Sequence, residues 1–151
     1  MEEKFMRIAI NEAKKALILG EVPVGAVIVK NGIVLSKAYN KKEKLNSVTK
    51  HAEIIAVEKA SRKINNWRLD GCDIYITLEP CPMCASAIKQ ARISNIYFGL
   101  SNSDSNNFNI VKSILNRDKN NSSCNCYCGY FSDEINMLMK SFFKDVRNSK
   151  K

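Results

Sequence analysis

The chain has 151 residues, enough for one compact domain, and its 45% hydrophobic and 26% charged residues mark it as globular rather than disordered. A formal charge of +9, from 24 Lys and Arg against 15 Asp and Glu, favours a polyanionic partner, nucleic acid first. No apolar run is long enough for a signal-peptide core or a bilayer crossing, so the expectation is a cytoplasmic protein.

Phe5, Ile8, Ala9, Ala13, Ala16 and Leu17 recur at helical spacing, and Gly20 is placed to stop that helix. Val22 to Val29 reads as a buried strand with Pro23 near its start. Asn31-Gly32 is a strong hairpin turn, and Ile33 to Ala38 returns as the second strand. A lysine-bearing polar loop runs from Asn40 to Lys50, and His51 to Ile64 reads as a helix. Cys72 to Leu78 is a third strand, Pro82 to Arg92 a helix, and Ile93 to Leu100 includes a fourth strand. Ser101 to Asn109 reads as a loop and Ile110 to Asn116 as a short helix. A further strand is possible around the alternating Cys124, Cys126 and Cys128. The final helix starts near Ser132, with Ile135, Leu138, Met139, Phe142 and Val146 as its apolar stripe. This order predicts an α/β fold of three layers, α/β/α, around one mixed sheet. Its hairpin is antiparallel and its later helical crossovers parallel. A single domain over 1–151 is expected, its basic C-terminal helix and tail spanning about 132–151.

The chemistry concentrates at two helix starts, His51-Ala52-Glu53 and Pro80-Cys81-Pro82-Met83-Cys84. Cys-x-x-Cys lets two thiolates on one helical turn face a single ion, and Pro82 suits the first helical position. Cys81 then sits where free N–H groups and the helix dipole favour the ligating thiolate. One imidazole with two thiolates suits zinc, and His51 is the only histidine in the chain. Three protein ligands leave a fourth position open, the arrangement of a catalytic rather than a structural site. Glu53 reaches the same site only over the helix end, as a proton shuttle beside the metal. The backbone N–H groups of Ala52 and Glu53 are then available to a substrate base. A lone histidine is more often structural, and a lone Cys-x-x-Cys can be redox-active or merely packed. The two motifs together, each opening a helix, outweigh those readings. Cys124, Cys126 and Cys128 would share one face of a strand. The favoured reading has them packed as small hydrophobes, since a second zinc site there is short of ligands.

His-Ala-Glu followed by Pro-Cys-x-x-Cys resembles the signature of the cytidine-deaminase-like zinc deaminases. The likeness extends through Gly20 to Val27, Asn66-Trp67-Arg68-Leu69, Thr77 to Cys84, Ala91-Arg92-Ile93, Phe98-Gly99 and Phe142-Phe143, and in these stretches it is to the bacterial tRNA-specific adenosine deaminases. The resemblance implies one Zn2+ per chain, a homodimer, and a tRNA partner whose wobble adenosine is converted to inosine. Residue by residue it implies that Asn40 hydrogen-bonds the flipped base and that Pro23, Val24 and Leu78 lie near the pocket. Asn102 stands where the family carries Asp beside the target nucleotide, and Ser47-Val48-Thr49-Lys50 lacks the family's Asp-Pro-Thr. A neutral amide at 102 predicts weaker discrimination between RNA and single-stranded DNA. Two rivals remain. One is a deaminase of a free base or nucleoside, guanine or cytosine in type, with the same metal site. The other is a silent zinc protein that only binds RNA, against which the retained Glu53 argues.

Overall fold

Helix α1 (Glu3–Ile18) buries Phe5, Met6, Ala9, Ile10, Ala13 and Ala16, one face of its 3.6-residue period. Gly20, with φ 78°, takes the chain out of the helix. The computed structural model describes residues 2–101, 105–116 and 124–149. Strands β1 (Gly25–Lys30) and β2 (Ile33–Tyr39) form the expected hairpin, with Asn31 and Gly32 both left-handed at φ 51° and 76°. The first strand is shorter than the sequence indicated. The Val24 N–H donates to the Val22 carbonyl at 2.8 Å, and Pro23 has no N–H, so 22–24 turn off the ladder. Gly25 is required where pairing begins, because a Cβ there would collide with the Ala9 carbonyl of α1.

Helix α2 (Ala52–Ile64) starts one residue after His51, which is its N-cap. Strand β3 (Cys72–Leu78) has the expected limits. Helix α3 (Pro82–Gln90) stops before Arg92, whose φ of 68° breaks the helical path. Strand β4 (Asn95–Leu100) follows, then α4 (Ser105–Leu115), β5 (Asn125–Cys128) and α5 (Ser132–Ser149). The helix expected at Ile110–Asn116 begins at Ser105, inside the stretch read as a loop. Ser and Asn are poor helix formers, and docking of α4 on α3, with Val111 and Leu115 buried, overrides that preference.

The sheet runs β2-β1-β3-β4-β5. β1 is antiparallel to both β2 and β3, while β3, β4 and β5 are parallel, as helical crossovers demand. Alternate residues serve opposite faces. Ala26, Ile28, Ile74, Ile76, Ile96 and Phe98 pack with Ile55, Ala56, Ile88 and Leu115 of α2, α3 and α4. Val27, Val29 and Tyr75 pack with α1 and with Ile135 of α5. Tyr75, Tyr97 and Tyr127 stack across three strands on that second face, with ring centroids 4.8 and 5.0 Å apart. Among the described residues, no helix is long and apolar enough to cross a membrane. This architecture brings the N-termini of α2 and α3 together beside the C-terminal end of β3, which is where the chemistry collects.

Candidate metal centre and active site

His51 and Cys81 are the N-caps of α2 and α3, both with extended backbone (φ −71°, ψ 153° and φ −72°, ψ 168°). Each therefore points its side chain across a helix end rather than along it. Cys84, three residues on, lies one turn into α3 and is fully buried. His51 Nδ1 lies 3.8 Å from Cys81 Sγ and 3.5 Å from Cys84 Sγ. All three ligand atoms fall within 4.8 Å of one another. A tetrahedral ion with Zn–N of about 2.0 Å and Zn–S of about 2.3 Å spans an N···S edge of about 3.5 Å. The residues fit zinc in both chemistry and spacing.

Electrostatics at this point favour a cation. The Cys84 thiol donates to Cys81, the backbone N–H groups of Cys84 and Met83 face the same sulfur, and the Cys81 thiol is pushed down to about 5 against the opposing effect of burial. Cys84 is driven the other way by that same hydrogen bond and by burial. One proton shared by two sulfurs is what a divalent ion displaces.

Glu53 is the second residue of α2 and only 4% exposed. Burial raises its pKa above the usual carboxylate value, opposed by its own backbone N–H. Among the described residues, no partner hydrogen-bonds its Oε1. A buried acceptor without a partner is expensive in a folded protein and marks a place where water or substrate completes the set.

These groups open into a cavity of about 210 Å³ lined by Val22, Val24, Asn40, Lys42, His51, Ala52, Glu53, Leu78, Glu79 and Cys81. The structure thus gathers His51, Cys81, Glu53, Asn40, Val24, Ala52 and Leu78 around one space, with Cys84 packed against His51 and Cys81. Pro23 is buried and does not line the cavity, while its neighbours Val22 and Val24 do. Asn102 lies outside the described residues. Asn40 is held on three sides. Its N–H donates to the Val24 carbonyl at 3.1 Å, its Oδ1 accepts from the Lys42 N–H at 3.1 Å, and its Nδ2 donates to the Val22 carbonyl at 3.4 Å.

Three residues of this site were not singled out in the sequence. Lys42 and Glu79 line the cavity, Glu79 as a carboxylate only 2% exposed. Glu21 stands behind them, 1% exposed, its two carboxylate oxygens accepting from the N–H groups of Glu43 at 2.9 Å and Lys44 at 2.7 Å. Those N–H groups open a helical turn closed by Leu45 N–H donating to the Lys41 carbonyl at 2.9 Å. Glu21 therefore caps this turn from a distance and fixes the wall that carries Asn40 and Lys42. Only its place in the family-like stretch Gly20 to Val27 could have drawn notice to it.

Residues 1–100 match the family model of the cytidine and deoxycytidylate deaminase zinc-binding region. The tRNA-specific adenosine deaminase of Aquifex aeolicus (strain VF5) is 40% identical over 148 residues, covering 98% of this chain and 97% of its own. A solved tRNA:A34 deaminase superposes with a TM-score of 0.79 at 34% identity, over 91% of this chain and 99% of that one. A guanine deaminase from Bacillus subtilis superposes less well, with a TM-score of 0.66 at 31% identity over 80% and 77% of the two chains. With its zinc-ligand set, its fold and relatives matched end to end, the chain belongs to the cytidine-deaminase-like zinc deaminases, in their tRNA-specific adenosine deaminase branch.

Proposed function

We propose that this protein hydrolyses the exocyclic amino group of the wobble adenosine in a tRNA anticodon, giving inosine and ammonia. The observation that carries the reading is the buried, unpartnered Glu53 Oε1 beside His51, Cys81 and Cys84, in a chain aligned throughout with tRNA-specific adenosine deaminases. Zinc held by His51, Cys81 and Cys84, one ion per chain, would supply a water acidic enough to react near neutral pH. Glu53 would carry the protons of the reaction, accepting one from the attacking water, delivering it to the purine ring nitrogen and assisting the departing amine. Its burial suits this exchange, because a carboxyl with a raised pKa gives up and regains a proton more readily near neutrality.

The remaining wall positions the base. Asn40 offers its amide to the ring, Ala52 its backbone N–H at the helix start, and Val24 and Leu78 apolar contact. A flipped-out base reaches such a pocket most easily from a single-stranded loop. We further propose that the chain is one RNA-binding deaminase domain and works as a cytoplasmic homodimer. Trp67 supports the dimer. It is 60% exposed in a groove that Val57 and Ser61 of α2 and Ala87 and Gln90 of α3 also line. The test is to incubate the purified, zinc-loaded protein with total tRNA, sequence for inosine, and run free adenosine, cytosine and guanine in parallel. Inosine at the wobble position is the expected result. Turnover confined to a free base would transfer the protein to the small-molecule branch.

A further inference from the structure

Four lysines gather at one edge of the sheet. Strand β2 is a free edge of the sheet, flanked by α1 and α2. Lys37 of β2 and Lys59 and Lys63 of α2 line a shallow groove there with Ile8, Val34, Leu35 and Ser36. Lys15 of α1 joins them through a shared carboxylate, since Glu12 Oε1 lies 2.7 Å from Lys15 Nζ and 4.0 Å from Lys37 Nζ. Among the described residues, Glu12 is the only carboxylate within ion-pair distance of these four lysines. Lys59 Nζ donates instead to the Lys37 carbonyl at 3.2 Å, which holds the two elements' lysines side by side. Burial and then the nearby Lys41 lower the pKa of Lys59, with Arg62 and Lys15 adding to the effect and Glu12 opposing it.

Gathered like charges repel and destabilise the folded state. A free strand edge needs guarding against pairing, but a lysine on the strand itself does that, and Lys37 supplies it. Lys59 and Lys63 stand on a helix and lie beyond that need. The patch also adjoins the active site. Lys37 precedes Asn40 by three residues, about 10 Å of extended strand. Lys59 and Lys63 follow His51 by eight and twelve residues, about 12 and 18 Å of helix. Lys41, packed over the Tyr39 ring at 4.8 Å, lies in sequence between Asn40 and Lys42 of the cavity lining and is among the charges that act on Lys59.

We propose that this edge is a second RNA-binding surface, on which the sugar–phosphate backbone of the tRNA beyond its anticodon loop lies along Lys37, Lys59 and Lys63. The proposal rests on tRNA being the substrate. A backbone that leaves the cavity past Lys41 meets a row of cations with one carboxylate among them, and each phosphate it places there releases condensed counterions. Contacts of this kind carry no sequence information and fix the orientation of the RNA.

The experiment compares the zinc-loaded protein with its Lys59→Gln/Lys63→Gln double variant. Both positions are on a helix surface, where Gln keeps helix propensity. Dissociation constants are measured across a salt series for full-length tRNA and for an anticodon loop closed by only a short stem. The expected result is a loss of about tenfold in affinity for full-length tRNA, with the salt slope reduced by about 1.5–2 for two lost phosphate contacts. Affinity for the short hairpin, zinc content and the rate at saturating substrate should not change. Equal tRNA affinity and slope in both proteins would overturn the proposal. So would an equal loss on tRNA and hairpin, which would move these lysines to the loop, or aggregation of the variant with tRNA binding intact, which would leave them as edge guards. An unsubstituted protein that neither binds tRNA nor makes inosine would remove the substrate reading itself, and this surface with it.

Discussion

Cys81 and Cys84 lie at the start of α3, whereas Cys126 and Cys128 lie on β5 at the edge of the same sheet, with Cys124 immediately before it. At a helix start the backbone N–H groups have no carbonyl to bond and turn toward the sulfur, and the Cys81 thiol falls to about 5. On a strand the backbone is committed to its neighbour. Burial is the leading influence on Cys126 of that strand, raised to about 11, and on Cys124 just before it, raised to about 12. These three cysteines also differ among themselves, from Cys124 in the core to Cys128 in solvent. Two cysteine clusters of similar size thus differ because one is surrounded by backbone donors and an imidazole, and the other by side chains and a ladder. Ligand character comes from those surroundings more than from the count of thiols.

The sharpest way to break this contrast is substitution in each group. Cys84→Ala should remove zinc and abolish inosine formation, because two ligands cannot hold the ion in a site left open to solvent. Cys126→Val should keep both, as metal analysis and a tRNA deamination assay on the two purified proteins would show. Zinc lost from the Cys126 variant would make β5 part of the metal centre. Glu53→Ala probes the same centre without touching a ligand. It should keep its zinc and lose at least about 100-fold in rate, the usual scale for a positioned acid–base group. Near-normal turnover in that zinc-replete variant would take Glu53 out of the proton path.

Glu21 gives a smaller effect of a different kind. Glu21→Gln can still accept from one of the Glu43 and Lys44 N–H groups but turns an NH2 toward the other. Losing one hydrogen bond to a charged group, about 1.5 kcal/mol, loosens the turn that carries Asn40 and Lys42 by roughly tenfold in equilibrium terms. The expected outcome is a KM for tRNA raised about tenfold, with kcat and zinc content nearly unchanged. A fall confined to kcat would place Glu21 in the chemistry instead.

The contrast between the two clusters also explains what the sequence could convey. The clustering of His51, Cys81 and Cys84 was legible because their spacing and helix starts are local properties, and so were the hairpin at Asn31-Gly32 and the limits of β3. The role of Glu21 was not, because it depends on a turn that begins some twenty residues later in the chain. Lys42 and Glu79 became cavity residues only when β2, α2 and β3 converged. The start of α4 was misplaced for the same reason, since contact with α3 decides it and Ser-Asn composition does not. Val22, not Pro23, lines the cavity, in the tight turn closed by the bond from Val24 to Val22.

The smallest effect comes from the buried end of the β5 group and appears only at high pH. The Cys124 thiol is raised from 9.0 to about 12 in the folded chain, chiefly by burial. Below pH 9 the thiol is protonated whether the chain is folded or not, so it contributes no pH dependence there. Above that value the unfolded chain loses the proton while the folded chain keeps it, and stability falls as pH rises toward about 12. Tyr75 and Tyr97, also raised by burial, add to the same alkaline decline. The useful quantity is therefore a difference. Denaturation midpoints measured at pH 8 and pH 10 should move apart less in Cys124→Val than in the unsubstituted protein. Any fixed change in packing cancels when each protein is compared with itself. Alkylation offers an independent reading, since a buried, protonated Cys124 should react more slowly with iodoacetamide at pH 8 than the exposed Cys128. Should the two proteins show the same alkaline decline and Cys124 react as fast as Cys128, the sulfur at the entry to β5 would not be in the core, and its side of the contrast would fail.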